Sequence, residues 1–239
     1  MAEKQIKWKV PKKRQPVWVI FRQIFKPFFR IKSLEFLGEE FPKKCIILAN
    51  HNNKKGPMLY ELRLPVKHVT WGAYQMLGSY KMRFKYLRDV LYMQKNHFSK
   101  GKATRTAWFE AIFSLRIYRG MKMLPSFPDA RFRKTLQYSM ECLDKGFSIS
   151  LFPENSSEGY FDELKSFYPG FVMLAEQYYK KTGEDLPIFP MYYGRKKNKI
   201  VVGKPLYVQN LAKQGLKRDE IAQRFCEEVN ELYRNHFKE

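Results

Sequence analysis

The stretch Cys45-Ile46-Ile47-Leu48-Ala49-Asn50-His51, followed by Asn52-Asn53-Lys54-Lys55-Gly56-Pro57, decides the reading of this chain. An apolar run of strand length stops abruptly on Asn50-His51, and polar residues then lead to Gly56-Pro57, a break before a helix over Met58 to Leu64 that Pro65 ends. A histidine at the carboxyl end of a buried strand, facing a helix start, is placed for acid/base chemistry; the alternative is a histidine that caps the strand end.

The same alternation continues outward. Val66 to Trp71 reads as a second strand, with His68 a structural residue in its alternating pattern, and Met121 to Leu124 as another. Asp129 is a good N-cap for a helix whose apolar face is Phe132, Leu136, Met140 and Leu143, up to Gly146. Phe147 to Phe152 is a strand that runs into Pro153-Glu154-Asn155-Ser156-Ser157, the second strand end to carry polar residues. A helix over Phe171 to Tyr179, strands over Ile188 to Tyr193 and Lys199 to Val202, and a helix with Ile221, Phe225, Val229 and Leu232 on one face complete the pattern. Trp108, Phe109, Ile112, Phe113, Leu115 and Tyr118 predict a helix with a broad apolar face, ended by Gly120. Strands alternating with helices predict an α/β fold, a mostly parallel sheet flanked by helices.

Ahead of that frame, residues 1–33 read as a basic arm and an amphipathic segment, and residues 34–239 as one α/β domain. From Pro16, Trp18, Phe21, Ile24, Phe25 and Phe28 follow helical spacing, with Arg22, Lys26 and Arg30 on another face. About sixteen helical residues reach roughly 24 Å, short of a ~30 Å hydrocarbon layer, so the segment is expected to lie in a membrane interface, broken near Pro27, and not to span it.

Composition narrows the class. With 45 Lys+Arg against 23 Asp+Glu, the net charge of +22 attracts polyanions: nucleic acid, an anionic membrane surface or phosphorylated ligands. The charge concentrates around residues 1–32 and 81–105, both rich in aromatics, and no RNA- or DNA-binding signature accompanies it, which favours a lipid interface and speaks against a nucleic-acid partner. Cys45, Cys142 and Cys226 are widely spaced and form no Cys-x-x-Cys pair, so they read as reduced core residues with no metal site. The first ten residues lack a secretory signal, which points to the cytoplasmic side.

In order along the chain, Asn50-His51, Gly120 to Ser126, Phe152-Pro153-Glu154 and Ile188-Phe189-Pro190 resemble the motif blocks of the glycerophospholipid (1-acylglycerol-3-phosphate / lysophospholipid) acyltransferases. Pro169-Gly170-Phe171 and Val202-Gly203-Lys204-Pro205-Leu206 add secondary matches, and the resemblance runs from about Phe36 to Leu206. The chain departs from the pattern at three positions. The family's Asp after the histidine falls at Gly56, the Arg of its second block at Ser126 and that of its third at Ser157.

The resemblance implies an acyltransferase in which His51 is the general base on the hydroxyl of a lysophospholipid or glycerophosphate-type acceptor, with acyl-CoA or acyl carrier protein as co-substrate and no further cofactor. Glu61 looks like the acidic position of a divergent His-x4-Gly-Pro branch of that family and so a candidate partner of His51, with Glu154 the other carboxylate candidate. Regular helical geometry places Glu61 about 140° round from position 56, so it reaches His51 only if the helix starts irregularly or after Pro57. Arg131 and Arg133 are the candidates for holding phosphate, Lys54 and Lys55 flank His51, and Glu154, Asn155, Ser156 and Ser157 would line the acceptor pocket. The expected location is peripheral or monotopic on the cytoplasmic face of a membrane. A non-catalytic, membrane-docked lipid-binding protein on the same fold is the alternative.

Overall fold

The structure, a computed structural model, describes residues 6, 8–10, 16–51, 55–156 and 158–238. In chain order the elements are α1 (Pro16–Phe25) with a 3-10 turn at Lys26–Phe29, β1 (Ser33–Phe36), β2 (Ile46–Ala49), α2 (Lys55–Arg63) and β3 (His68–Ala73). After a 3-10 turn at Tyr74–Leu77 come α3 (Tyr80–Lys85), running straight into a π-helix at Tyr86–Lys95, then α4 (Lys100–Gly120) and β4 (Leu124–Ser126). The second half holds α5 (Phe132–Asp144), β5 (Ser148–Leu151), α6 (Gly170–Thr182), β6 (Ile188–Gly194), β7 (Lys199–Val202), α7 (Val208–Lys213) and α8 (Arg218–His236).

The strands form one sheet in the order β1-β7-β6-β2-β5-β3-β4. Only the β6–β7 hairpin is antiparallel; every other neighbouring pair is parallel. The opening stretch is therefore the centre of the sheet. All four residues of β2 are buried, because helices cover both sides of a parallel sheet. Ile46 and Leu48 face a core built with Leu136 of α5, Phe171 of α6 and Phe225 of α8. Ile47 and Ala49 face a second core with Leu59, Tyr60 and Leu64 in and just after α2. A third cluster, around Met76, Leu87, Leu91 and the alanines of α4, packs the inserted helices together at the β3–β4 end.

This topology makes a crevice where the sequence predicted one. From the end of β2 the chain passes through α2 toward β3; from the end of β5 it passes through α6 to β6, on the other side of β2. The two helices pack on opposite faces of the sheet. Adjacent strand ends that send their chains apart are the usual place for a ligand in such sheets.

Asn50 fastens the strand end beside that crevice. Its amide donates from Nδ2 to the Tyr193 carbonyl at 3.1 Å, while its Oδ1 accepts from the Tyr193 N–H at 2.9 Å and from the Tyr60 hydroxyl at 2.9 Å. The buried side chain thus ties β2, β6 and α2 together one residue before His51.

Two expectations are corrected. The head of the chain is no free arm over residues 8–10: the Trp8 indole donates to the Met123 carbonyl at 2.8 Å, and Val10 is buried in the main core. The rest of the head, residues 1–5, 7 and 11–15, lies outside the described residues. The second correction is α4, which is turned inside out relative to its apolar pattern. It buries Ala103, Ala107, Ala111 and Ser114, and exposes Trp108, Phe109, Ile112 and Phe113. Small residues at spacings of four and three let its backbone approach the π-helix closely, and a bulky stripe would hold the two apart. In α1 Trp18 turns inward, where its indole fills the space a side chain at Gly120 would need, a built Cβ falling 2.5 Å from the ring. Ile20, Phe21, Ile24 and Phe28 stay exposed.

Candidate active site

His51 stands at the carboxyl end of β2, half-buried, and its ring helps to wall a cavity of about 320 Å³. That volume is at the small end of ligand pockets, which run from about 300 to 1,000 Å³. The walls are mostly apolar: Met58 of α2, Trp71 of β3, Leu87 and Leu91 of the π-helix, Ile117 of α4. The imidazole stacks on Tyr160 with ring centres 4.9 Å apart and meets Phe152 edge-on, also at 4.9 Å. Two aromatic walls leave the ring little freedom to rotate.

The second strand end arrives as predicted. Glu154 follows β5, and its Oε1 accepts a hydrogen bond from the backbone N–H of His51 at 3.2 Å. The two polar sites of the sequence are therefore one site. Burial raises the Glu154 carboxyl to about 7, against the opposing pull of the His51 N–H and of the nearby Lys95 charge. Near neutral pH this group therefore exchanges a proton readily, as a catalytic or substrate-binding carboxyl does. Ser156 is buried beside it, and Asn155 is half-buried, its N–H bound to the Ser166 carbonyl at 2.9 Å. Ser157 and Lys54 lie outside the described residues.

Sequence reasoning missed Lys95. It is the last residue of the π-helix and lines the cavity. Its ammonium donates to Ser156 Oγ at 2.6 Å and lies 5.6 Å from the Tyr160 ring centre. Burial lowers its pKa, while the Glu154 carboxylate favours its charged form. The position lies inside a basic, aromatic stretch in which nothing marks one lysine above the others. The only hint is structural, since π-helical turns gather at functional sites. A cation thus reaches the Phe152-Pro153-Glu154 block from another part of the chain.

Three other candidates are placed elsewhere. Glu61 is buried under α1: its Oε1 accepts from the Trp18 indole N–H at 3.4 Å, and its Oε2 lies 3.7 Å from His68 Nε2. The helix begins at Lys55 and includes Gly56, so the late start that would have swung Glu61 toward His51 does not occur. His68 is buried as expected of a structural residue, with Nδ1 3.0 Å from the Val66 carbonyl oxygen.

Arg131 follows β4, three strands from β2 and so roughly 14 Å across the sheet at ~4.8 Å per strand. Asp129 engages its guanidinium at 2.7 to 3.1 Å, and that pairing holds the Asp129 carboxyl down to about 2. Tyr74 and Phe127 flank the same guanidinium. α5 starts at Phe132, three residues after Asp129, and Arg133 is exposed on its first turn.

Position 56 is closely confined. A Cβ built on Gly56 would fall 2.2 Å from the His51 carbonyl oxygen and 3.0 Å from its carbon. The His51 backbone comes so close to Gly56 that a side chain there would need one of the two to shift. Among the described residues, no group of three or more His, Cys, Asp or Glu is arranged to hold a metal ion.

No family model matches the sequence, and no curated protein does. Among solved structures the chain is similar to the crystal structure of the 1-acyl-sn-glycerophosphate (LPA) acyltransferase of Thermotoga maritima. That likeness is 16% in sequence identity with a TM-score of 0.48, over 96% of this chain and 85% of that one.

Proposed function

We propose that this protein transfers an acyl chain from a thioester, acyl-CoA or acyl carrier protein, to a hydroxyl of a lysophospholipid or glycerophosphate-type acceptor. The observation that carries the reading is the position of His51. It lies in the wall of an apolar cavity suited to a hydrocarbon chain, with the Glu154 carboxyl and the Lys95 ammonium beside it. The order of motif blocks in the sequence supports the same reading.

In this mechanism the neutral His51 imidazole removes the proton from the acceptor hydroxyl as its oxygen attacks the thioester carbonyl carbon. The carbon–sulfur bond then breaks, and the leaving thiolate takes the proton from the imidazolium. Tyr160 and Phe152 fix the plane of the ring, and Glu154 holds the His51 backbone from the next strand. Lys95 meets the phosphate of the acceptor, a role for which a compact ammonium is suited.

The test is acyl transfer from a labelled thioester to a panel of lysophospholipid and glycerophosphate acceptors. His51→Ala is expected to lower turnover by about 10²- to 10⁴-fold with an unchanged thermal melt, and Lys95→Met to raise KM for phosphorylated acceptors above all. Unchanged turnover in His51→Ala ends the catalytic assignment. Gly56 favours a second reading, a lipid-binding protein without turnover, because position 56 has no room for the family's carboxylate. Lipid binding by the unaltered protein with no transfer from any donor would establish that reading instead.

A further inference from the structure

We infer that the outward face of α4, with the exposed side of α1 next to it, is a docking surface for an anionic lipid bilayer. Trp108, Phe109, Ile112 and Phe113 are 57%, 62%, 44% and 47% exposed and form one contiguous strip of the helix. An unpartnered strip of three large aromatics and an isoleucine marks an interaction site and not ordinary surface.

Its edges identify the partner. Along the same exposed face, Lys102 and Arg105 precede the strip and Arg116 and Arg119 follow it. Aromatic and aliphatic groups in the middle with cations at both ends match the layering of a membrane interface, apolar at the acyl boundary and anionic at the headgroups. Each cation held near an anionic leaflet raises partitioning about fivefold. A second copy of the chain fits poorly: a symmetric contact would bring the arginine edges of two +22 molecules together. An RNA would satisfy the arginines but leave Ile112 without a partner of its own kind.

Continuity with α1 strengthens the case. Trp18 of α1 is seated on Gly120, the last residue of α4, so the exposed Ile20, Ile24 and Phe28 belong to a helix that touches the end of this strip. The same two segments wall the cavity, through Phe29 on one side and Ser114 and Ile117 on the other. No helix of the described residues is long and apolar enough to cross a membrane, so the contact is interfacial. The inference stands apart from acyl transfer, because it concerns binding to vesicles with no substrate present.

The chain supplies its own probe. Of its four tryptophans, Trp18 and Trp71 are buried and Trp8 is half-buried, which leaves Trp108 as the exposed one. The experiment mixes the full chain with vesicles of phosphatidylcholine, alone or with phosphatidylglycerol, carrying bromine-labelled acyl chains. It reads tryptophan quenching and co-sedimentation across a salt series. The expected result is quenching by the anionic vesicles that disappears in Trp108→Phe while sedimentation persists, and binding that weakens with salt. Trp108→Ser/Phe113→Ser should lose more than about tenfold in partitioning while keeping the melting temperature and the turnover of a soluble short-chain substrate. Unchanged partitioning of that double variant would overturn the proposal. So would a dimer in solution that shields Trp108 from acrylamide, or vesicle-free RNA binding that depends on Trp108. Turnover without vesicle binding would sink this proposal alone, and vesicle binding without turnover would sink only the acyl-transfer reading.

Discussion

Gly56→Ala puts the tightest feature of the site to the test. Replacing glycine by alanine within a helix ordinarily stabilises by up to about 1 kcal/mol, through backbone entropy and helix propensity. Here the added methyl would lie 2.2 Å from the His51 carbonyl oxygen, more than an ångström inside ordinary contact, and 3.5 Å from the Tyr60 ring. The obstacle is backbone, held one residue away by the Asn50 amide, so it cannot swing aside as a flexible side chain would. Overpacking of this kind costs about 1–3 kcal/mol, and a backbone clash belongs at the upper end. The net expectation is a loss of about 2 kcal/mol. For a chain of this size that is a drop of roughly 4–8 °C in Tm, at about 2–4 °C per kcal/mol. Calorimetry or thermal circular dichroism reads it directly. Gly56→Asp, which places a carboxylate at this position, should be at least as unstable and should not raise turnover. A Gly56→Ala protein that melts with or above the unaltered chain would refute the claim that the His51 backbone leaves no room for a side chain at position 56.

Two further outcomes follow from the site. Asn50→Ala strands the buried N–H and C=O of Tyr193, at about 1–3 kcal/mol each, so the stability read from urea unfolding should fall by about 2–6 kcal/mol, as a lower midpoint with an unchanged m-value; a shift near zero would deny Asn50 its role as a strap. Burial raises Glu154 from 4.5 to about 7, so its contribution to stability is complete below pH 4.5 and is lost as pH rises through 7. The stability advantage of the unaltered protein over Glu154→Gln should therefore shrink across that window, by at most about 1.4 kcal/mol per pH unit, and a flat difference would contradict the burial of a titrating carboxyl.

The sequence carried the central strand well because a buried parallel strand leaves a strong mark: the apolar run Ile46–Ala49, ending on the polar pair Asn50-His51. It also brought His51 and Glu154 together correctly, since both sit at strand ends and such ends converge in this class of sheet. What it could not carry were contacts decided by close approach. In α4 the stripe that packs is alanine and serine, whose pull is van der Waals contact at short range, while the eye is drawn to the aromatics that face outward. Glu61 looked like a partner for His51 along the chain, yet the start of α2 at Lys55 set its direction toward His68. Lys95 had no signal of its own. Its approach to Ser156 depends on a π-helical turn that no local pattern of residues announced.

The pairing of β1 with β7 has a consequence for how the chain is made. Asn198 reaches back to the carbonyl of Arg30 across 168 residues, and among the described residues β1 has no strand neighbour besides β7. On a ribosome adding about 5–20 residues per second, roughly 8–34 s separate the two halves of that pairing. For 102 of those residues, roughly 5–20 s, the nascent chain displays an amphipathic helix whose seat for Trp18, the Gly120 notch, has not yet been synthesised. Whatever apolar surface lies near the exit tunnel competes for it first.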